Sequence, residues 1–106
     1  MNPSSIELHD AVIDELSVNF AEEKISLKCE YYEAQNDRRR KSIRIVFNKV
    51  TNFSSVLDIK ALINSSRAGN ITYWHPSEFQ GVTYVYFSNG CVAIQAESID
   101  VYTGTQ

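Results

Sequence analysis

Side chains able to do chemistry are few in this chain, and none falls into a recognised catalytic spacing. His9-Asp10 is the first candidate, because some phosphohydrolases hold metals with such a pair. Those sites need further histidines and another aspartate, and the second histidine here, His75, stands beside Pro76. Two histidines with scattered carboxylates have no metal-ligand spacing, so neither a metal nor another cofactor is expected. His9 and Asp10 read instead as the lead-in to a first strand. Nucleophilic catalysis needs a nucleophile beside an oriented base. Ser54-Ser55 and Ser65-Ser66 lack the glycines of a nucleophile elbow and flank element boundaries, where hydroxyls partner the backbone. Glu22-Glu23 reads as a turn, Asp14-Glu15 as strand, and the glycines form no phosphate-cradling cluster. An enzyme is not expected.

Cys29 and Cys91 each lie in an alternating apolar segment and read as buried, reduced thiols acting as small hydrophobes. A disulfide between neighbouring strands is the alternative, and sparse cysteines weigh against it. Neither belongs to a Cys-x-x-Cys pair, which removes the usual zinc and thioredoxin-like signatures.

Two features suit binding better than catalysis. The run Arg38-Arg39-Arg40-Lys41, with Arg44 nearby, could face a phosphate backbone or an acidic protein. Its place between two strands, after Glu30, Glu33 and Asp37, equally suits a solvated loop that discourages edge pairing. Aromatic residues are the second feature: Tyr73, Trp74, Tyr84, Tyr86 and Phe87 fall on two strands adjacent in sequence. Tyr84 and Tyr86 share one face while Phe87 points to the other. Tyrosine, tryptophan and arginine are enriched where protein partners dock, so the expected partner-binding residues are Tyr73, Trp74, His75, Arg38, Arg39 and Arg40. Tyrosines packing cross-strand on a solvated face would look the same in sequence.

The elements that must position these residues are mostly strands. Leu16, Val18 and Phe20 alternate with polar residues, Ala21-Glu22-Glu23 turns, and Ile25, Leu27, Cys29 and Tyr31 alternate again. After the polar Gln35–Arg38 stretch, Ile43, Ile45 and Phe47 make a third strand, and the three read as an antiparallel meander. Asn52–Leu57 is a short further stretch. Asp58 can cap a helix carrying Ile59, Leu62 and Ile63 on one face, ended by Gly69. Ile71–Trp74 is a strand stopped or held at an edge by Pro76. Val82–Phe87 and Val92–Ala96 flank the hairpin signal Asn89-Gly90. A switch of apolar face between Ala96 and Ile99 suggests a bulge near Glu97-Ser98. The expected fold is α+β but β-dominated: a twisted antiparallel sheet of six to seven strands, largely in meander order, with one short helix on one face.

With 106 residues the chain is expected to form a single domain, residues 1–106. No apolar run reaches the roughly 18–20 residues of a membrane helix, and the opening segment lacks a secretory pattern. A cytoplasmic protein is therefore expected. A net charge of -3 argues against a dedicated nucleic-acid binder.

The segment Leu8-His9-Asp10-Ala11-Val12-Ile13-Asp14-Glu15-Leu16-Ser17-Val18, followed by a turn and a long alternating strand, resembles a group of small bacterial domains of unknown function. That group includes proteins similar to immunity proteins of polymorphic toxin systems. Val50-Thr51-Asn52-Phe53 matches the Val-x-x-Phe step its members carry after the third strand. The likeness spans roughly the first half of the chain and transfers no catalytic residues. It implies a non-enzymatic domain that binds a cognate protein, most concretely a toxin that it neutralises. One alternative is a small-ligand carrier, with a pocket between sheet and helix lined by Tyr31, Phe47, Tyr84 and Tyr86. A nucleic-acid-associated role for Arg38–Lys41 is a second alternative.

Overall fold

Among the described residues apolar alternation becomes eight antiparallel strands: β1 Val12–Asn19, β2 Lys24–Tyr31, β3 Lys41–Asn48, β4 Asn52–Leu57, β5 Ile71–His75, β6 Gly81–Phe87, β7 Gly90–Ala96 and β8 Ser98–Thr103. The computed structural model describes residues 3, 6–9, 11–32, 39–57, 71–77, 81–87 and 90–103. The expected helix from Asp58 to Gly69 lies outside the described residues.

The strands form two four-stranded sheets, in the orders β1-β2-β3-β8 and β4-β7-β6-β5. This corrects the expectation of one sheet of six to seven strands. Meander order holds within each half, because β1-β2-β3 and β5-β6-β7 each pair in sequence. The division arises at a corner. After β3 the chain bends through Lys49–Thr51 into β4, and after β7 it bends at Glu97 into β8. The two bends lie side by side: Glu97 N–H donates to the Asn48 carbonyl at 3.0 Å, and Thr51 N–H to the Gln95 carbonyl at 2.9 Å. A strand pair that changes sheet at a bend is how sandwich corners are made. The face switch near Glu97-Ser98 is this corner.

The reason for two sheets is burial. Ile25, Leu27, Cys29, Ile43, Ile45 and Phe47 from the first sheet join Ile71, Val85, Phe87, Val92, Ile94 and Ala96 from the second in one buried cluster. Each apolar face covers the other, so the first sheet needs no helix as a roof. A fully buried isoleucine or phenylalanine contributes about 1.5–3 kcal/mol, which makes these central positions the strongest stabilisers. Cys29 is buried here as a free thiol, and burial, helped by the nearby Asp14 carboxylate, pushes its pKa up to about 12.

Register exceptions decide which side chains face out. β5 pairs with β6 through Ile71↔Phe87 but then Tyr73↔Tyr86, Trp74↔Val85 and His75↔Tyr84, with an irregularity between Ile71 and Tyr73. That extra residue puts Trp74 on the core side with Ile71, three positions away, and shifts the Tyr73 and His75 positions to the outer ladder. Thr83, the one buried polar side chain among the described residues, accepts the Ser77 N–H at 3.1 Å and fixes the chain after β5.

Candidate docking face

The two outer faces differ in charge. Outward positions of the β1-β2-β3-β8 sheet include Glu15, Lys28, Arg44 and Asp100, all exposed. The other sheet is unlike it. Its outward positions are Asn52, Ser54 and Val56 on β4, Cys91, Ala93 and Gln95 on β7, Val82, Tyr84 and Tyr86 on β6, and Tyr73 and His75 on β5. None of these is Asp, Glu, Lys or Arg, in a chain that is 22% charged.

Rows across this face follow from the pairing. Tyr86 stands opposite Cys91, which stands opposite Val56, and Tyr73 completes the row in register. His75, Tyr84, Ala93 and Ser54 make the next. Val56 is 71% exposed, Tyr84 41% and Tyr86 43%. The two tyrosine rings stack with centroids 6.5 Å apart and planes 12° from parallel, in the range of offset aromatic pairs. Their stacking leaves two large amphipathic rings side by side in solvent, already ordered, beside a half-exposed free thiol at Cys91.

No family model, characterised protein or solved structure matches the chain.

The structure rearranges the residues expected to bind a partner. His75 and the Tyr73 position belong to the charge-free face. Trp74 does not: it packs against the buried cluster, with its indole Nε1 buried and unpaired among the described residues. The arginines are elsewhere. Arg39 and Arg40 precede β3 at the end of the β2–β3 hairpin, where Tyr31 pairs with Lys41, and Arg38 lies outside the described residues. Arg40 is half-buried, its guanidinium 4.8 Å above the Tyr32 ring, while Arg39 is exposed. The run therefore splits into a packed arginine and a solvated one.

The four residues of the expected carrier pocket do not converge. Tyr31 and Phe47 are buried between the sheets, whereas Tyr84 and Tyr86 project from the far side of the second sheet. Val56 and Ala93 carry no signal in the sequence, and Cys91, expected to be a buried thiol, is half-exposed. An Asn89-Gly90 turn would have set Cys91 opposite Ser88, whereas Phe87 pairs with Gly90 and so brings Cys91 opposite Tyr86; Val56 reaches this face only through the long-range β4–β7 pairing. At the other end of the chain, His9 is exposed and its backbone N–H donates to Glu7 Oε1 at 2.8 Å. Among the described residues no three of His, Cys, Asp and Glu gather as metal ligands would.

Proposed function

We propose that this domain binds a protein partner through the outer face of the β4-β7-β6-β5 sheet and catalyses nothing itself. The absence of any Asp, Glu, Lys or Arg from the outward strand positions of that face among the described residues, together with the exposed Tyr84–Tyr86 stack, is the observation that supports this reading. Interface cores are depleted of charge and enriched in tyrosine, because charged groups cost most to desolvate while an aromatic ring covers much area for little rotamer entropy. With strands about 4.8 Å apart the face measures roughly 15–20 Å on a side. That is the area of a hot-spot centre, around which charged loops and edges would form the rim.

The partner class is a toxin neutralised by occupation, as the resemblance of the Leu8–Val18 segment to immunity proteins implies. A rigid sheet face suits that task, since little ordering is left to be done at binding. The net charge of -3 favours encounter with a basic partner over an acidic one. The test is co-expression with the product of the adjacent gene. Wild type is expected to co-purify with it and restore growth, and Tyr84→Ala/Tyr86→Ala to lose both while keeping its far-ultraviolet spectrum. A folded double variant that still protects would remove the face from the proposal. An adjacent product that wild type neither binds nor neutralises would remove the toxin.

A further inference from the structure

The opposite side of the sandwich carries a groove that the docking face does not use. It has a volume of about 790 Å³ and runs across the outer surface of the β1-β2-β3-β8 sheet, from Tyr102 on β8 past Arg44 and Val46 on β3 and Ser26 on β2 to Lys24 and Phe20 at the β1–β2 turn. We propose that this groove binds an extended acidic peptide of about six residues, bearing one or two carboxylates among apolar side chains.

Length is the first argument. Tyr102 pairs with Arg44, and Arg44 with Lys28, so the groove leaves the edge strand β8 at that row and crosses to the far end of β1. Three strand spacings of about 4.8 Å and about four residue rises of 3.3 Å give a diagonal of roughly 20 Å. An extended chain covers this with about six residues. A single ring or one phosphate group would occupy only part of it.

Charge is the second. Arg44 and Lys24 are the charged groups on the groove wall, and among the described residues no carboxylate lines it. Among the described residues Lys24 has one neighbour of opposite sign, Glu22 at 3.8 Å, with both side chains largely exposed. An exposed pair of that kind is worth little and yields readily to a ligand carboxylate. Asp100 lies in register with Val46 but is held by Asn48 Nδ2 at 2.8 Å, and Glu15 stands opposite Lys28. These bordering acids repel a polyanion. Single-stranded nucleic acid would lay several phosphates along the same length and needs a more basic track. A peptide with one or two carboxylates matches two cations.

Apolar surface is the third. Phe20 is 88% exposed at one end and Tyr102 is exposed at the other, with Val46 between them. Phe20 sits just past the last residue of β1, in the turn closed by Glu23 N–H to the Phe20 carbonyl at 3.3 Å. A turn phenylalanine this exposed contributes little to folding, and an apolar ligand side chain would cover it.

Selection of a phage-displayed random peptide library on the whole protein tests this. The expected consensus pairs Asp or Glu with apolar residues, and the synthetic consensus peptide should bind more weakly as salt rises. Arg44→Ala and Lys24→Ala should each weaken it about tenfold, Phe20→Ala should weaken it at constant salt dependence, and Tyr84→Ala/Tyr86→Ala should leave it unchanged. The last variant separates this site from the docking face. No consensus, a basic or uncharged consensus, or affinity indifferent to Arg44→Ala and Lys24→Ala in folded protein would overturn the proposal. Tighter binding of an oligothymidylate than of the peptide would replace it with a nucleic-acid site.

Discussion

Tyr84 and Tyr86 stack on the solvent side of β6 at 6.5 Å, while Val85 between them is fully buried on the core side. Three consecutive residues therefore differ sharply in what they do for stability. Tyr84→Ala and Tyr86→Ala are expected to cost about 1 kcal/mol or less each, since each ring is already partly in water. Val85→Ala should cost about 2 kcal/mol by emptying a packed site. Urea denaturation of the three variants measures this. Equal costs would make the rings structural and remove their availability to a partner.

Trp74 should behave as a core residue. Trp74→Ala is expected to destabilise the domain by about 2–4 kcal/mol, well beyond a surface change, because the ring packs against the buried cluster. As the single tryptophan of the chain it also reports its own surroundings. Its emission should lie to the blue in the folded protein and move red with the unfolding transition. Red emission in native buffer would place the indole in water.

The two cysteines should separate by reactivity. Cys29 keeps its proton until about 12 in the folded protein but ionises near 9.0 when unfolded. Below that lower value both states hold the proton and Cys29 adds no pH dependence. Above it the unfolded chain releases the proton first, so stability should fall as pH climbs from about 9 towards 12, by at most about 1.4 kcal/mol per pH unit. Cys29→Ala should flatten this alkaline limb in denaturant titrations. Under native conditions maleimide should label Cys91 before Cys29, and labelled protein should lose its partner if the charge-free face is the interface.

The corner should be sensitive to backbone chemistry rather than to charge. Lys49 has φ of 52° and Glu23 has φ of 56°, and Val50 N–H donates to the Glu23 carbonyl at 2.8 Å, so two left-handed residues meet where the sheets join. The Lys49–Glu97 ion pair at 3.8 Å is exposed and contributes little. Lys49→Gly should be neutral or stabilising by up to about 1 kcal/mol, and Lys49→Val destabilising by about 1–2 kcal/mol. Melting temperatures decide it. A harmless valine would mean that the corner tolerates another backbone path.

The arginines before β3 should divide. Arg39→Ala is expected to stay within about 0.5 kcal/mol of wild type. Arg40→Ala should lose about 0.5–1 kcal/mol, because its guanidinium lies 4.8 Å over the Tyr32 ring. Side-by-side thermal melts of the two variants check the order.

Much of the strand pattern was legible in the residues themselves. Ile25, Leu27, Cys29 and Tyr31 alternate with polar residues, and all four are buried, because a pleated strand sends successive side chains to opposite faces. Phe20 reads as the last apolar residue of the first alternating strand, yet it lies just past β1 and is exposed. The chain turns at that position, and local alternation cannot tell a strand's final residue from the first residue of a turn. Trp74 is expected among the partner-binding residues but faces the core, for a related reason. A single irregularity between Ile71 and Tyr73 inverts the parity of everything after it, and nothing in Ile71-Thr72-Tyr73-Trp74 marks the extra residue.

The candidate face was half legible. That Tyr84 and Tyr86 share a side follows from their spacing, but the strand before them reads as Ile71–Trp74, one residue short of His75. That the same side carries Val56 and Cys91 and, among the described residues, no Asp, Glu, Lys or Arg at its outward strand positions depends on which strands become neighbours.

By itself, then, the chain's order of apolar and polar residues determined where it would be extended, where it would turn and which positions in β2 and β3 would seek cover. Tertiary structure alone decided that β3 pairs with β8 and β4 with β7, so that one long ladder bends at Lys49–Thr51 and Glu97 into two sheets. The physical reason is the range of the interactions. Alternation is a property of neighbouring residues, whereas cover for an apolar face comes from residues tens of positions away. Only closure of the two faces on one another settles which surface remains for a partner.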